Sequence, residues 1–438
     1  AIRQARVLPG FGRRNEALGE WARLYRRLPR TLLAGGWEGA SFDGHAGAVK
    51  SIRLSGDGRY AVSGGADGMV KIWNMSSGKR LRTLKVRHGA VHSVACSVEG
   101  RFLVAGGEDG LIQMWDAVQG DQIQTFEGFT GTVETLALSL DGRFLVSAGL
   151  DIWIWDVATA EPLRTLEGHS SDIVSLCLSP DSLSLLSGSS DQNVALWDIA
   201  SGNSLMTLAG HAGGVRTVSL SEDGRFALSG SGNMWGRPGE LFLWNLETGE
   251  CLHSFEGHAS SVNAACLTTD CRYAVSGSSD RTVKLWETSS GECVRVFQGH
   301  ADAVEALGMS RDGRYVLSGS ADGKMIQWIL DWELEERERE DWDEGARPYL
   351  EAFLTLHTPY AADVSQEGPQ SEEEATLALT HRGKPEWNDE DFRRLMYTLG
   401  CAGYGWLTQE GVQQQLEKIS ARRKWSSFFV GKWGKRTR

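Results

Sequence analysis

From residue 44 to residue 328 the chain is built of short stretches in which apolar and polar positions alternate, broken at close intervals by Gly, Asp and Ser. "VKSIRLS" and "RYAVSGG" alternate with a period of two, are rich in β-branched residues and flank "GDGR", the composition of a hairpin turn. "VKIWN" predicts a third strand, followed by a Ser/Gly turn and a fourth strand, "RLRTL". The unit returns as "GHSSDIVSLCLSPDSLSLLSGSSDQNVALWD" from Gly168, "GHASSVNAACLTTDCRYAVSGSSDRTVKLWE" from Gly257 and "GHADAVEALGMSRDGRYVLSGSADGKMIQW" from Gly299. Three further copies are degenerate, and the seven anchor positions are His45, His88, Phe129, His169, His211, His258 and His300. A single four-stranded sheet has two bare apolar faces, so copies packed around an axis bury what none buries alone.

Each copy closes on a tryptophan, at Trp73, Trp115, Trp155, Trp197, Trp244, Trp286 and Trp328, which accounts for much of the Trp content of 17. With this period and these anchors the chain resembles the WD-repeat family. The resemblance implies a mainly β fold, a seven-bladed β-propeller with four strands per blade. The seventh copy lacks its own fourth strand. "GWEGASFDGH", from Gly36, has the shape of the fourth-strand segments "EPLRTLEGH" and "ECVRVFQGH", so Trp37 to Phe42 is expected to supply that strand and close the ring.

His300, Ser318 and Asp322 together raise the question of a hydrolase triad. A triad occurs once in a chain, whereas His, Ser, Asp and Trp recur together as His45, Ser63, Asp67 and Trp73; His169, Ser187, Asp191 and Trp197; His258, Ser276, Asp280 and Trp286; and His300, Ser318, Asp322 and Trp328. The family resemblance implies that they form a structural relay running from indole to hydroxyl to imidazole to carboxylate.

Three copies depart from the pattern. Copy two has Ala105 in the serine position, and copy three has Phe129 for histidine and a shortened "GLDIWIWD" hairpin; these blades should be looser or sealed by apolar packing. Copy five replaces the aspartate turn with "SGNMWGRPGELFLW". There Met234, Trp235 and Arg237 are candidate partner-binding residues, because exposed Trp and Arg on a loop are frequent interface anchors. The competing expectation is that Trp235 folds back into the space left by the aspartate turn. Family position adds Glu108, Asp172, Ser190, Ser279 and Asp302 as rim candidates, each of which also reads as a solvated loop residue.

The flanks are helical. "NEALGEWARLYRRL" places Leu18, Trp21, Tyr25 and Leu28 on one stripe behind an Asn15 cap, and is expected to dock on the C-terminal helices beside the closure. After Trp328, "DWELEERERED" reads as a solvated connector. "ARPYLEAFLTLH", "WNDEDFRRLMYTLG" capped by Asn388 and ending at Gly400, and "TQEGVQQQLEKIS" form a small helical region. The last two helices could be mistaken for a helix-turn-helix, but they carry no basic face. The final residues, "ARRKWSSFFVGKWGKRTR", interleave Trp425, Phe428, Phe429 and Trp433 with cations, a composition for an anionic partner or membrane surface, or for packing on its own domain. The resulting division is 1–35, 36–330, 331–420 and 421–438. The stretch 331–420 resembles the C-terminal extension of bacterial WD-repeat proteins, some of which carry an upstream serine/threonine kinase, and so implies bacterial signalling or assembly.

A formal net charge of −12 argues against general nucleic-acid or anionic-membrane binding. The seven cysteines form no CxxC pair and no zinc spacing, and read as reduced core thiols of a cytoplasmic protein. No HExxH, GxxxxGK, GxSxG or kinase signature occurs, so no catalytic residue, cofactor or metal is assigned. The sequence reads as a non-catalytic protein–protein interaction scaffold that binds a partner on the propeller rim. The alternatives are the sensor or autoregulatory half of a larger effector such as a kinase or protease and, more weakly, a nucleic-acid adaptor.

Overall fold

In the computed structural model, which describes residues 24–87, 89–232, 238–363 and 368–422, the strands form seven four-stranded antiparallel sheets. Numbering strands in chain order, the first copy comprises β2 (Val49–Leu54), β3 (Tyr60–Gly65), β4 (Met69–Asn74) and β5 (Arg80–Lys85). The first strands of successive copies lie side by side around the axis, the seventh against the first. Side-chain hydroxyls stitch neighbouring copies together: the amide of Val94 donates to Ser51 Oγ at 3.1 Å and that of Leu136 to Ser93 Oγ at 2.9 Å. Glycine permits the close approach between copies, since a Cβ on Gly319 would lie 2.6 Å from Val49 at the seam between last and first.

The last sheet contains β26 (Val304–Met309), β27 (Tyr315–Ser320), β28 (Lys324–Leu334) and, as its outer strand, β1 (Arg30–Asp43). The closing strand therefore begins earlier than Trp37, and its register runs from Asp43 opposite Lys324 to Arg30 opposite Leu334. The extension corrects the reading of "DWEL" as connector. Trp332 is only 1% exposed and its indole donates to the Gly313 carbonyl at 2.7 Å, while Asp331 accepts from the Tyr25 hydroxyl at 2.7 Å. The aromatic and the aspartate are held in the sheet because each has a buried partner; solvated chain starts only after Leu334.

Arg30 anchors this corner. Its guanidinium pairs with Asp270 at 2.8 Å, with both side chains almost fully buried, and donates to the carbonyls of Asp312 and Cys401. Tyr25, inside the turn of helix that precedes β1, packs into the same cluster as Trp328 and Trp332, and Arg26 lies over the Tyr397 ring. Asn15, Leu18 and Trp21, the earlier part of the expected N-terminal stripe, lie outside the described residues.

The hairpins joining first to second strands face away from the anchor histidines, and the C-terminal helices lie over several of them. These are α1 (Arg347–Leu356), α2 (Glu372–Ala378), α3 (Asp389–Cys401) and α4 (Gln409–Arg422). The Asn388 side chain caps α3 reciprocally with Asp391, and Ser371 caps α2, a helix absent from the sequence reading. α3 runs one residue past Gly400; glycine is required there by contact, since a Cβ would sit 2.5 Å from the Arg26 carbonyl. Bonds from the helical region reach hairpins of four different copies: Arg394 to Glu99, Tyr360 to Asp141, Tyr349 to the Thr269 carbonyl and Thr398 to Arg311. Arg311 in turn crosses the ring to pair with Glu222 of another hairpin at 3.1 Å.

The cysteine reading needs one correction. All seven are free, but Cys251 and Cys293 are exposed, because they start outer strands whose far face meets solvent. Burial does raise the thiols of Cys96 and Cys266, to about 11 and about 12.

The hairpin turns share a design: in copy one Ser55 Oγ binds Asp57 at 2.7 Å and receives the Tyr60 amide, while Gly58 takes φ +68°. In copy four the glycine position is Ser182, at φ +58°, with a buried hydroxyl that finds no partner among the described residues. A left-handed L-residue and an unpaired buried hydroxyl each cost about 1–2 kcal/mol. Ser182→Gly is therefore expected to raise the unfolding free energy in urea by about 1 kcal/mol after the entropy of glycine is subtracted. Unchanged or lower stability would show that the turn carries neither cost.

Candidate functional site

On the face opposite the helices, each histidine sits in the loop entering a first strand and each aspartate in the turn between second and third strands. In copy one the Trp73 indole donates to Ser63 Oγ at 2.9 Å, Ser63 lies 2.8 Å from His45 Nε2, and His45 Nδ1 lies 2.9 Å from Asp67. Copies four and six repeat this with every link between 2.7 and 2.8 Å. Copy seven is looser at its end, with His300 Nδ1 3.4 Å from Asp322. An indole can only donate and a carboxylate only accept, so the hydroxyl proton goes to Nε2 and the Nδ1 proton to the carboxylate. That direction requires a neutral imidazole, and burial holds His45 and His300 below the usual histidine range in spite of the adjacent carboxylates. Burial alone would raise Asp67, but Lys71 and His45 hold it down to about 2. Burial would raise Asp280 too, and His258 and Thr282 hold it well below the usual carboxylate range. The arrangement is that of a proton-shuttling triad, yet Ser63, Ser187, Ser276 and Ser318 are all 0% exposed and already accept the indole proton, so no substrate reaches their hydroxyls.

Copy five contains a relay that sequence reasoning missed. Trp244 donates to Ser229 Oγ at 2.8 Å, Ser229 meets His211 Nε2 at 2.7 Å, and His211 Nδ1 lies 3.1 Å from Glu240. Glu240 also takes the Ala212 amide at 2.9 Å, the bond that Asp67 makes to Ala46 in copy one. The role of the missing aspartate is thus taken by a longer carboxylate entering from the other end of the insertion. Counting back from Trp244 does not find it, because the other relay carboxylates lie six residues before their tryptophan and Glu240 only four. Copy three is sealed by aromatics, Phe129 edge-on to Trp153 and Trp153 stacked on Trp155 at 5.2 Å, with Trp155 still bonded to Ser147. In copy two Ala105 is fully buried, and His88 lies outside the described residues.

Glu108, Asp172, Ser190 and Asp302 are exposed around this face, and Ser279 is half-buried, accepting from Asn263 at 2.9 Å. Glu108 approaches His92, which pairs with Glu134 at 3.2 Å; Lys50 pairs with Glu305 at 3.4 Å. Lys50, His92, Glu134 and Glu305 each follow the fully buried valine of their copy, Val49, Val91, Val133 and Val304, at the start of the strands that surround the axis. Sequence reasoning passed over them, although a column read across the copies picks them out. A cleft of about 520 Å³ opens between copies five and six, lined by Pro238, Glu240, Phe242, Phe255 and Glu256 among others. Met234, Trp235 and Arg237, and the tail residues Trp425, Phe428, Phe429 and Trp433, lie outside the described residues.

Seven sheets closed into a ring, with buried polar relays fixing one face and variable side chains presented around it, define a β-propeller of repeat type. The chain belongs to the WD40 family: the WD domain, G-beta repeat matches residues 36–74, 78–116, 120–156, 160–198, 202–237, 249–287 and 291–328. Propellers of this family typically mediate protein–protein interaction. Short stretches are similar to the small ribosomal subunit protein RACK1 of Medicago sativa, 44% identical over 41 residues, and to RACK1z of Oryza sativa subsp. japonica, 41% identical over 44 residues. These matches cover 9% and 10% of the chain and 13% of each relative.

Two outcomes are expected. Glu240→Ala leaves His211 buried without its acceptor and should lower the unfolding free energy by about 1–3 kcal/mol in urea; no loss would mean that Glu240 is not part of the relay. For Asp67, a folded value of about 2 against an ordinary 3.8 means that its contribution is complete above the ordinary value and fades as pH falls toward 2. His45, also depressed, loses its contribution in the same direction below its ordinary 6.5. The stability gap between wild type and Asp67→Asn should therefore narrow as pH falls through 3.8 toward 2, and a gap independent of pH across that window would contradict the ionised relay.

Proposed function

We propose that the chain is a non-catalytic interaction scaffold that holds a protein partner on the relay face, at the cleft between copies five and six. The observation that carries this reading is the cleft itself: apolar Phe242 and Pro238 beside Glu240 and Glu256, at the point where an insertion lengthens copy five. A rigid floor with side chains free to vary above it is what loops on a scaffold need for recognition. Met234, Trp235 and Arg237, in the adjoining insertion, are the proposed anchors, with Glu108, Asp172, Ser190, Ser279 and Asp302 as rim contacts. The coverage of the opposite face by helices supports the choice of this one.

The resemblance of residues 331–420 to bacterial extensions supports a setting in bacterial signalling or complex assembly, and seven unpaired thiols support a cytoplasmic one. No helix among the described residues is long and apolar enough to cross a membrane. The basic-aromatic tail, with Trp425, Phe428, Phe429 and Trp433, is the second proposed contact.

Affinity capture from native lysate, with mass spectrometry of what is retained, tests the site. Trp235→Ala and Glu256→Arg should each abolish retention of the same protein while changing stability by no more than about 0.5 kcal/mol, as surface substitutions do. Retention lost only by a chain ending at Ile419 would move the site to the tail. Retention of nothing by any version would favour the regulatory half of a larger effector.

A further inference from the structure

The C-terminal helices do not lie flat on the propeller. They are seated on copies six and seven through Tyr349, Thr398 and the Cys401 carbonyl, while over copies two and three they stand off and leave a cavity of about 500 Å³ between the two layers. Its propeller wall includes Phe102, Ile123 and Leu140, and its helical wall Phe353, Leu356 and Leu395. Ile123 and Leu140 remain 48% and 36% exposed although both face a second apolar layer. Apolar surface normally closes up when two layers meet, because each exposed Å² costs about 25 cal/mol. Here the ion pair of Arg394 with Glu99 and the bonds of Tyr360 and Arg143 act as struts at the edges, and the volume lies within the range of about 300–1,000 Å³ typical of small-molecule sites.

The polar groups in the walls set the chemistry of an occupant. Glu99, Asp141, Glu222 and Asp391 line the cavity against Arg311 and Arg394, so acids outnumber guanidiniums. Both guanidiniums are already committed: Arg311 to Glu222 at 3.1 Å, and Arg394 to Glu99 at 2.7 Å and Glu390 at 2.9 Å. At the junction of α1 and α3, His357 Nδ1 lies 2.8 Å from the Phe353 carbonyl, which only accepts, so Nδ1 is committed as a donor and Nε2 is the ring nitrogen left for another partner. Nε2 faces Asp391 Oδ1 across 3.7 Å, too long for a direct hydrogen bond and short enough for one bound group to reach both. The other oxygen of Asp391 is taken by the Asn388 amide.

We propose that this cavity binds a small apolar amine, with its aromatic or alkyl body between the two layers and its ammonium on Asp391 and His357. Recognition is by charge and volume: a cation offsets the surplus of carboxylates, whereas an anion would meet them with both guanidiniums already occupied.

Dansylcadaverine, an aromatic group on an alkyl amine, is the probe, titrated against the full chain by fluorescence. Its N-acetylated form and 1-anilinonaphthalene-8-sulfonate supply the neutral and anionic comparisons. Binding of the amine with a blue shift is expected, with Ala352→Phe, which fills the cavity from α1, weakening it at least about tenfold. Ile123→Trp fills it from the propeller wall and replaces the first variant should that one fail to melt as the wild type does. Asp391→Asn, whose amide oxygen still caps α3, should weaken the amine about fivefold and leave the acetylated form unaffected. No binding to wild type, affinity untouched by both filling variants, or equal affinity for the neutral or anionic probe would overturn the proposal.

Discussion

Everything in this molecule depends on one strand pairing, that of β1 with β28. Six of the sheets are made from consecutive strands and would pair wherever they stood in the chain. The seventh takes its outer strand from the far end of the propeller sequence, and only this pairing turns a row of sheets into a ring whose last copy shields the first. The investment in that corner is correspondingly large: a register longer than that of any other pair, a buried Arg30–Asp270 ion pair, and the Tyr25 hydroxyl taking the Trp332 amide. Removing either member of such a buried pair strands the other's charge, so the seam is fixed by what would be left behind as much as by what is gained.

With the ring closed, its two faces are treated differently. One is braced internally, by chains of hydrogen bonds that run indole, hydroxyl, imidazole, carboxylate and place each loop against its turn. The other is braced externally, by helices whose polar contacts reach down to the hairpins. An internal brace leaves the surface above it free to vary, while an external brace occupies the surface it supports. The asymmetry explains why a protein partner is sought on the relay face, and why the enclosed volume lies on the opposite one.

Period and pattern made the propeller legible. Alternation marked the strands, the recurring His, Ser, Asp and Trp marked copies one, four, six and seven, and "GWEGASFDGH" was recognisable as a displaced fourth strand. What remained hidden depends on contacts rather than spacing. Glu240 serves in copy five because an extra methylene spans a gap that the insertion creates, and no repeat position predicts that. Asp331 and Trp332 looked like the start of an acidic linker because the groups that bury them, Tyr25 at the far end of the propeller sequence and the Gly313 carbonyl in the preceding hairpin, leave no mark on the local pattern. Exposed Cys251 and Cys293 were misread as core because an outer strand alternates like an inner one but has only one covered face. The candidate partner site was legible only as a change of length at Met234, Trp235 and Arg237; the cleft beside it and the charged set of Lys50, His92, Glu134 and Glu305 emerged once the copies stood around a common axis.

The displaced strand also sets an order of events during translation. Residues 30–43 leave the ribosome before the other propeller strands, yet their partner, Lys324–Leu334, is among the last propeller segments made. At about 5–20 residues per second the interval is on the order of 15–60 s. Throughout it the growing chain carries fourteen residues of strand with no sheet to join, including Leu32 and Trp37, which stay largely exposed even in the finished fold. The first propeller strand synthesised is thus the last one placed, and the nascent propeller must be kept from pairing with its neighbours on the same messenger until its own final sheet arrives.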